Sequence, residues 1–233
     1  MSLFPGGVAV TDLAVYDGGS GDDCGGGSPH LHTASSEGYV VTGGAGAVQT
    51  LSAAGFDEQR LAPGDVVWFT PGTVHRLVNG GGLRLLVVMA NAGLPESGDA
   101  VLTFPAAVLD DPEAYAAAAR LPEDPAARER AVRARRELAL AGFAELRAGG
   151  PDALAALHVR AARLVRPRVA QWQGLWERTV AAETARVGAQ LEALSEGMPG
   201  LMDAASVARA EPTSPERSLG MCGRLHTWRW PAG

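Results

Sequence analysis

The short segment His30-Leu31-His32, followed five residues later by Glu37, carries the residue types of a metal site. Residues two apart in a strand point to the same face, so a strand here presents two imidazoles side by side. Glu37 follows after a short turn and can bring a carboxylate to the same point. His75, which follows the turn-forming Pro71-Gly72, is the fourth candidate ligand. Three imidazoles and one carboxylate suit Fe(II), Mn(II), Ni(II), Co(II) or Zn(II), and suit Ca(II) poorly.

The first hundred residues read as short strands separated by turns. Apolar runs of strand length recur at residues 8–15, 38–42, 47–51, 65–69, 74–78 and 83–89. Glycine, proline, asparagine and aspartate punctuate them, and the glycine-rich stretch 17–28 reads as a loop. This spacing favours a β-sandwich or a small β-barrel.

The composition changes after about Pro105 to alanine, arginine and glutamate. Helices are predicted from Pro112, from Pro125 to about Ala148, and from Ala153 onward with a break at Pro167. Beyond the break, apolar residues keep helical spacing and are predicted to pack on the barrel or on a second subunit: Val169, Trp172, Trp176, Val180, Val187, Leu191 and Leu194. Residues 218–230 read as extended and able to return to the β region. We therefore predict two domains, 1–105 and 106–233.

The charge distribution argues against a nucleic-acid partner. Through residue 109, three arginines face ten acidic residues, and from residue 110 onward seventeen arginines face sixteen, so neither part has a strong basic excess. No apolar run approaches the ~20 residues that span a bilayer, and no secretory signal is evident, which predicts a cytoplasmic protein without membrane contact. Cys24 and Cys222 are too few for a disulfide scaffold.

Both histidine segments resemble the two motifs of the cupin superfamily, over about residues 8–95. The first motif matches at Gly25/Gly26, His30, His32, Glu37 and Gly44, and the second at Gly64, Pro71-Gly72, His75 and Asn79. Thr70 stands where the family often has a proline. The resemblance implies an α+β protein: a double-stranded β-helix (cupin, jelly-roll-like) barrel with a metal inside, followed by a mostly α-helical C-terminal region whose last segment is extended.

Four protein ligands leave two adjacent positions open around an ion that accepts six. Together with the resemblance, this predicts a metal-dependent enzyme acting on a small molecule, with a mononuclear Fe(II) dioxygenase as the first choice. Glu37 could also act as a general base. Two alternatives remain open: a metal-dependent isomerase or lyase of sugar-like substrates, and a non-catalytic cupin that binds or senses a small ligand.

Three further residues are candidates for contact with the substrate. Tyr39 and Gln49 lie on or near strands that follow the first motif, and Met89 lies on the last barrel strand. Surface exposure is the alternative for Gln49, and packing is the alternative for Met89. A homodimer is expected, with the helical region as a candidate lid or dimer surface, while Cys222 and His226 are interpreted as structural.

Overall fold

The N-terminal part of the chain folds into a β-barrel built around two long antiparallel strands. The computed structural model describes residues 4–18 and 25–229. Within them the strands of the barrel are β1 (Ala9–Val15), β2 (Gly25–Gly26), β3 (His30–His32), β4 (Glu37–Ser52), β5 (Gly55–Leu61), β6 (Val66–Phe69), β7 (Val74–Met89) and β8 (Ala100–Leu102). β7 pairs with β1, β2, β3 and β4, whereas β4 also pairs with β5 and β6. The predicted barrel is confirmed.

Each of the two longest strands contains two of the apolar runs that the sequence analysis treated as separate strands. Each of β4 and β7 has 16 residues, whereas the apolar runs 38–42 and 47–51, and 74–78 and 83–89, suggested four strands. The intervening glycines do not reverse the chain. They lie within the β4–β7 pair, with Gly43 opposite Arg84 and Ala45 opposite Gly81, and three register shifts fall between Val41 and Gly46. Both strands therefore bend together through β-bulges.

The chain returns to the barrel at its C-terminal end. The strands there are β9 (Glu211–Pro212), β10 (Ser218–Leu219) and β11 (Gly223–Arg229). β11 lies antiparallel to β1, with Leu13 opposite Leu225. The predicted extended segment is thus confirmed through Arg229, and Trp230 lies outside the described residues.

Five α-helices connect the barrel to its last strand: α1 (Ala106–Leu109), α2 (Pro112–Ala119), α3 (Pro125–Val165), α4 (Val169–Trp176) and α5 (Ala182–Ser195). Asp111 and Asp124 cap α2 and α3 by accepting backbone N–H groups. The break predicted after Ala148 is present within α3, because Gly150 has φ 65° and ψ −150°. The break predicted at Pro167 is a 3₁₀ turn, Arg166–Arg168.

Two hydrophobic cores lie on opposite sides of the barrel wall. One fills the barrel and includes Leu13, Tyr39, Leu77 and Leu85. The other lies between the outside of the barrel and the helices, where Leu31, Leu51 and Val74 pack with Ala139, Phe143 and Leu157. Helix α3 approaches so closely that a Cβ on Gly142 would lie 2.0 Å from the Thr103 carbonyl oxygen. The division at residue 105 stays a prediction, since the two parts share this outer core.

The end of the helical region makes far less contact with the rest of the chain. Val187, Leu191 and Leu194 on α5 are exposed, and α5 has no buried residue. Among residues 4–18 and 25–229, no helix combines the length and the apolar character needed to cross a bilayer.

Candidate metal centre

Strand β3 is buried on both faces and divides its side chains between the two cores. His30 and His32 point into the barrel with their ring centroids 5.3 Å apart. Leu31 points the other way, into the core beneath the helices. The alternation of a strand thus produces the side-by-side imidazoles that the sequence predicted.

Glu37 and His75 reach the same point from the two long strands. Glu37 is the first residue of β4, and His75 is the register partner of His30 across β3 and β7. The turn before β7 is held by Gly72, whose φ of 85° favours glycine and whose N–H donates to the His32 carbonyl at 2.8 Å. The turn and the strand that carries His32 are therefore directly joined.

The four predicted ligands form one compact cluster. His30, His32, Glu37 and His75 each offer a ligand atom, and these atoms all lie within 4.8 Å of one another. Glu37 Oε2 lies 2.9 Å from His75 Nε2 and 3.3 Å from His32 Nε2. His75 Nε2 and His30 Nε2 are 3.2 Å apart.

Hydrogen bonds at the Nδ1 atoms of the three histidines fix the direction of their Nε2 atoms. Nδ1 of His30 donates to the Ser28 carbonyl at 2.9 Å, and Nδ1 of His75 donates to the Thr73 carbonyl at 3.1 Å. Nδ1 of His32 donates to the Asp99 carboxylate at 2.6 Å. These acceptors leave the Nε2 lone pairs of neutral rings directed at the cluster.

Acceptor atoms that face one another at about 3 Å repel unless a proton or a metal cation lies between them. The donor set therefore fits a divalent metal ion, which imidazole nitrogen and carboxylate oxygen both bind.

The electrostatics of the cluster point the same way. Burial alone would raise the pKa of Glu37, but the neighbouring His75 and His32 hold it well below its ordinary value. Burial and the nearby His75 and His32 hold the pKa of His30 well below its ordinary value. Burial also opposes charge on His32, yet hydrogen bonds to Asp99 and Glu37 outweigh it and raise the pKa of His32 to about 9. The site thus attracts positive charge, as a proton or as a metal.

Asp99 orients His32 and was not anticipated from the sequence. It is fully buried in the segment before β8. One carboxylate oxygen accepts from His32, and the other accepts from the Ser35 backbone N–H at 3.0 Å. A carboxylate behind a ligating imidazole fixes the ring and raises its basicity. No spacing rule links residues 32 and 99, so only the pairing of β3 with β8 could have revealed it.

A cavity of about 410 Å³ opens between β4, β5 and β6, and none of the four ligand residues lines it. Its wall includes Thr50, the register partner of His75, and Phe69, whose ring stacks on His75 at 4.2 Å. Asp57 and Gln59 supply polar groups. Phe69 and Thr50 thus connect the wall of the cavity to His75. The sequence reasoning did not identify any of these four residues.

The three predicted substrate residues occupy different environments. Gln49 lies opposite Arg76 on β4 and donates to the exposed Glu58 at 2.5 Å, so it faces away from the His75 side of the strand. Met89 is buried opposite Glu37 across the β4–β7 pair. Tyr39 is fully buried inside the barrel. Of the three, Tyr39 and Met89 share the interior with Glu37.

Cys222 also enters the barrel interior. Burial and the negative charge of Glu37 raise the pKa of its thiol, and Cys222 packs in the same hydrophobic core as Tyr39. The segment is held in place by Ser28, whose N–H donates to the Met221 carbonyl at 2.9 Å. The structural interpretation of Cys222 agrees with its buried position, whereas His226 lies on β11 with its ring against Trp228. Cys24 lies outside the described residues.

Comparison with known proteins agrees with the geometry. Residues 22–89 match the family model described as "Cupin domain". The barrel thus has the cupin fold, and the match to the family model covers residues 22–89 of it, whereas the helical part lies outside the match.

Similar solved structures are also double-stranded β-helix proteins or enzymes. A double-stranded β-helix protein from Klebsiella pneumoniae has 19% identity over 39% of this chain and 73% of its own, with a TM-score of 0.32. The Streptomyces nucleoside dehydratase Pac13 has 17% identity over 43% and 71%, with a TM-score of 0.33. A TDP-quinovose 3,4-ketoisomerase from Campylobacter jejuni has 14% identity over 35% and 60%, with a TM-score of 0.30. Similarity at this level says nothing about the reaction, and no curated protein sequence matches the chain.

Proposed function

We propose that this protein is a metal-dependent enzyme that acts on a small molecule. His30, His32, Glu37 and His75 would hold one divalent transition metal ion. The observation that carries the proposal is the convergence of three imidazole Nε2 atoms and one carboxylate oxygen within 4.8 Å. The Nδ1 atom of each imidazole already donates a hydrogen bond, to Ser28, Asp99 or Thr73, and a ligating histidine commonly has such a partner at its second nitrogen.

Within this class we favour a mononuclear Fe(II) dioxygenase. Four protein ligands leave two adjacent positions on a six-coordinate ion, and bound ferrous iron would supply electrons for the reduction of dioxygen. The cavity next to Phe69 has apolar walls from Val48, Val67 and Phe69, and no arginine or histidine in the described part of the chain lines it. Such a cavity suits an uncharged, electron-rich organic substrate better than a phosphate ester.

The test combines metal analysis with oxygen uptake. Protein purified without added metal should contain about one transition metal ion per chain, and the iron-loaded protein should consume oxygen with a member of a catechol, diketone and flavonol panel. His75→Ala should abolish uptake, whereas Gln49→Ala, which alters the opposite face of β4, should leave it unchanged. Failure to retain any transition metal would refute the metal-dependent proposal. A ligand recovered unaltered would instead support a binding protein.

A metal-dependent isomerase or lyase is the second candidate. It is favoured by Tyr39, which lies beside Glu37 in the barrel interior. A carboxylate and a hydroxyl at one site can remove and return a proton during a rearrangement or elimination. Strict anaerobic incubation separates the two candidates: an isomerase or lyase converts its substrate without oxygen, and a dioxygenase does not.

We further propose that two copies of the chain pair through α5. Val187, Leu191 and Leu194 lie on one helical face, and no other element of the described chain covers them. Sedimentation should show a dimer that Leu191→Glu dissociates. Ala189→Glu, on the opposite side of the helix, should leave it intact. A monomeric wild-type protein would refute this pairing.

A further inference from the structure

A second cavity lies on the other side of β3 from the ligand cluster. This helix groove, of about 940 Å³, is formed between the end of α3, α4, and the loops next to His32 and His75. Its apolar wall includes Leu31, Ala34, Leu94, Val159, Val169 and Trp176. Because Leu31 faces this groove while His30 and His32 face the barrel, the strand separates the two sites.

Some apolar side chains that line the helix groove are buried, and others are exposed to solvent. Trp172 is only 5% exposed, and its indole N–H donates to the Ser97 carbonyl. In contrast, Val159 is 51% exposed, Val169 47% and Trp176 42%. A concave apolar surface with exposed aromatic and β-branched groups has the size and character of a small-molecule site.

The charged groups of the groove are all basic. Among the residues that the structure describes, Arg163 and Arg166 line it and no aspartate or glutamate does, although the chain has a net charge of −6. Arg160, one turn earlier, is already bound to Asp110 at 2.9 Å. Arg160 is the direct partner of Asp110, and Arg163 lies near enough to help lower the pKa of that carboxyl group. Within the described residues no salt bridge engages Arg163 or Arg166, so both guanidinium groups can bind an anion.

We propose that the helix groove binds a small carboxylic acid with an aromatic, apolar body. The body would lie against Trp176, Val159 and Val169, and the carboxylate would be bound by Arg163 and Arg166. None of the four ligand residues lines the groove, so this proposal does not rest on the reaction proposed above.

The floor of the groove is also joined to the cluster. His158 Nε2 donates to the Gly72 carbonyl at 2.8 Å, and the Gly72 N–H donates to the His32 carbonyl at 2.8 Å. A ligand in the groove would therefore contact the same turn that positions His32 and His75.

Calorimetry with naphthoate, and with the uncharged naphthalenemethanol as its matched probe, tests the proposal on the full chain. Naphthoate should bind at least about tenfold more tightly than the alcohol, because two exposed guanidinium groups each contribute a modest attraction. Arg163→Gln/Arg166→Gln should weaken naphthoate about tenfold. Arg130→Gln/Arg186→Gln, which changes the net charge equally outside the groove, should change it less than about twofold.

A volume variant tests the location. Ala162→Trp places a large side chain in the groove and should abolish naphthoate binding, with circular dichroism confirming that the helices remain. The proposal is overturned if naphthoate and naphthalenemethanol bind equally, or if either groove variant retains wild-type affinity. It is also overturned if Ala162→Trp converts a dimer into a monomer, because the groove would then hold a second copy of the chain.

Discussion

Raising the pH above 7 is expected to tighten metal binding, because the metal must displace a proton from His32. The pKa of His32 is about 9 in the metal-free site, so this ring is an imidazolium at neutral pH. A metal needs the Nε2 lone pair, and one released proton makes the affinity rise about tenfold per pH unit until the pH approaches that pKa. The pKa of Glu37 lies well below its ordinary range, so the carboxylate needs no such exchange.

The sign of the accompanying stability change follows from the same shift. The pKa of His32 rises on folding from 6.5 to about 9, so its contribution to the metal-free protein is complete below pH 6.5 and is lost as the pH rises through 9. The shift corresponds to a contribution on the order of 3 kcal/mol. With metal bound, the ion replaces the proton, and this loss on the alkaline side should disappear.

Competition against a zinc chelator of known proton affinity, between pH 7 and 8.5, measures how the metal affinity depends on pH. Urea unfolding with and without Zn(II) measures how the free energy of unfolding depends on pH. Asp99→Asn should remove most of the pH dependence, because it removes a charge that raises the pKa of His32, and should weaken zinc binding by about 10- to 100-fold. Asp110→Asn changes an exposed carboxylate on the surface and serves as the control. A zinc affinity that does not vary between pH 7 and 8.5 would refute the proposed exchange.

Two substitution pairs test other parts of the structure. Gln59→Ala changes the cavity wall and is expected to raise the KM for the substrate severalfold. Gln49→Ala changes the opposite face of β4 and should leave kcat and KM unchanged. Equal effects of the two substitutions in steady-state kinetics would contradict the placement of Gln59 in the cavity and of Gln49 outside it. Gly188→Ala is expected to stabilise α5 by about 1 kcal/mol in thermal unfolding, because nothing lies near the added Cβ. Gly142→Ala is expected to lower stability by about 2 kcal/mol or more, because its Cβ would collide with the Thr103 carbonyl oxygen. Two stabilising results would show that α3 does not pack as closely as described.

The ligand cluster was predictable because each step along the sequence is short. His30 and His32 are separated by one residue in a three-residue strand, where alternation fixes their common side. Glu37 begins the next strand, and a turn of Pro71-Gly72 brings the chain back before His75. In such segments no bulge intervenes, so local geometry determines the face of each side chain.

The face of Gln49 could not be obtained by counting from Glu37. Strict alternation would place residue 49 on the same side as residue 37. The bulges between Val41 and Gly46 change that phase, so Thr50 becomes the partner of His75 and Gln49 faces outward. The sequence shows glycines at these positions, but glycine is equally compatible with a turn, a bulge or a close approach.

Residues that act on the cluster from far along the chain were also beyond local reasoning. Asp99 reaches His32 only because β8 pairs with β3. Cys222 reaches the interior only because β11 pairs with β1. Neither pairing has a signature in residue spacing, since both join segments separated by long loops or by the whole helical region.

The helices and the ligand cluster are connected through the burial of β3. Helices cover its outer side chain, Leu31, and the barrel encloses its inner side chains, His30 and His32. A strand covered on both faces excludes water from the cluster, so the charge of Glu37 has little solvent to stabilise it. The low pKa of Glu37 then depends on the neighbouring His75 and His32, which stabilise its negative charge in the metal-free protein. A divalent ion would supply two positive charges at the same point, and the covering helices thereby strengthen the attraction of the site for a metal.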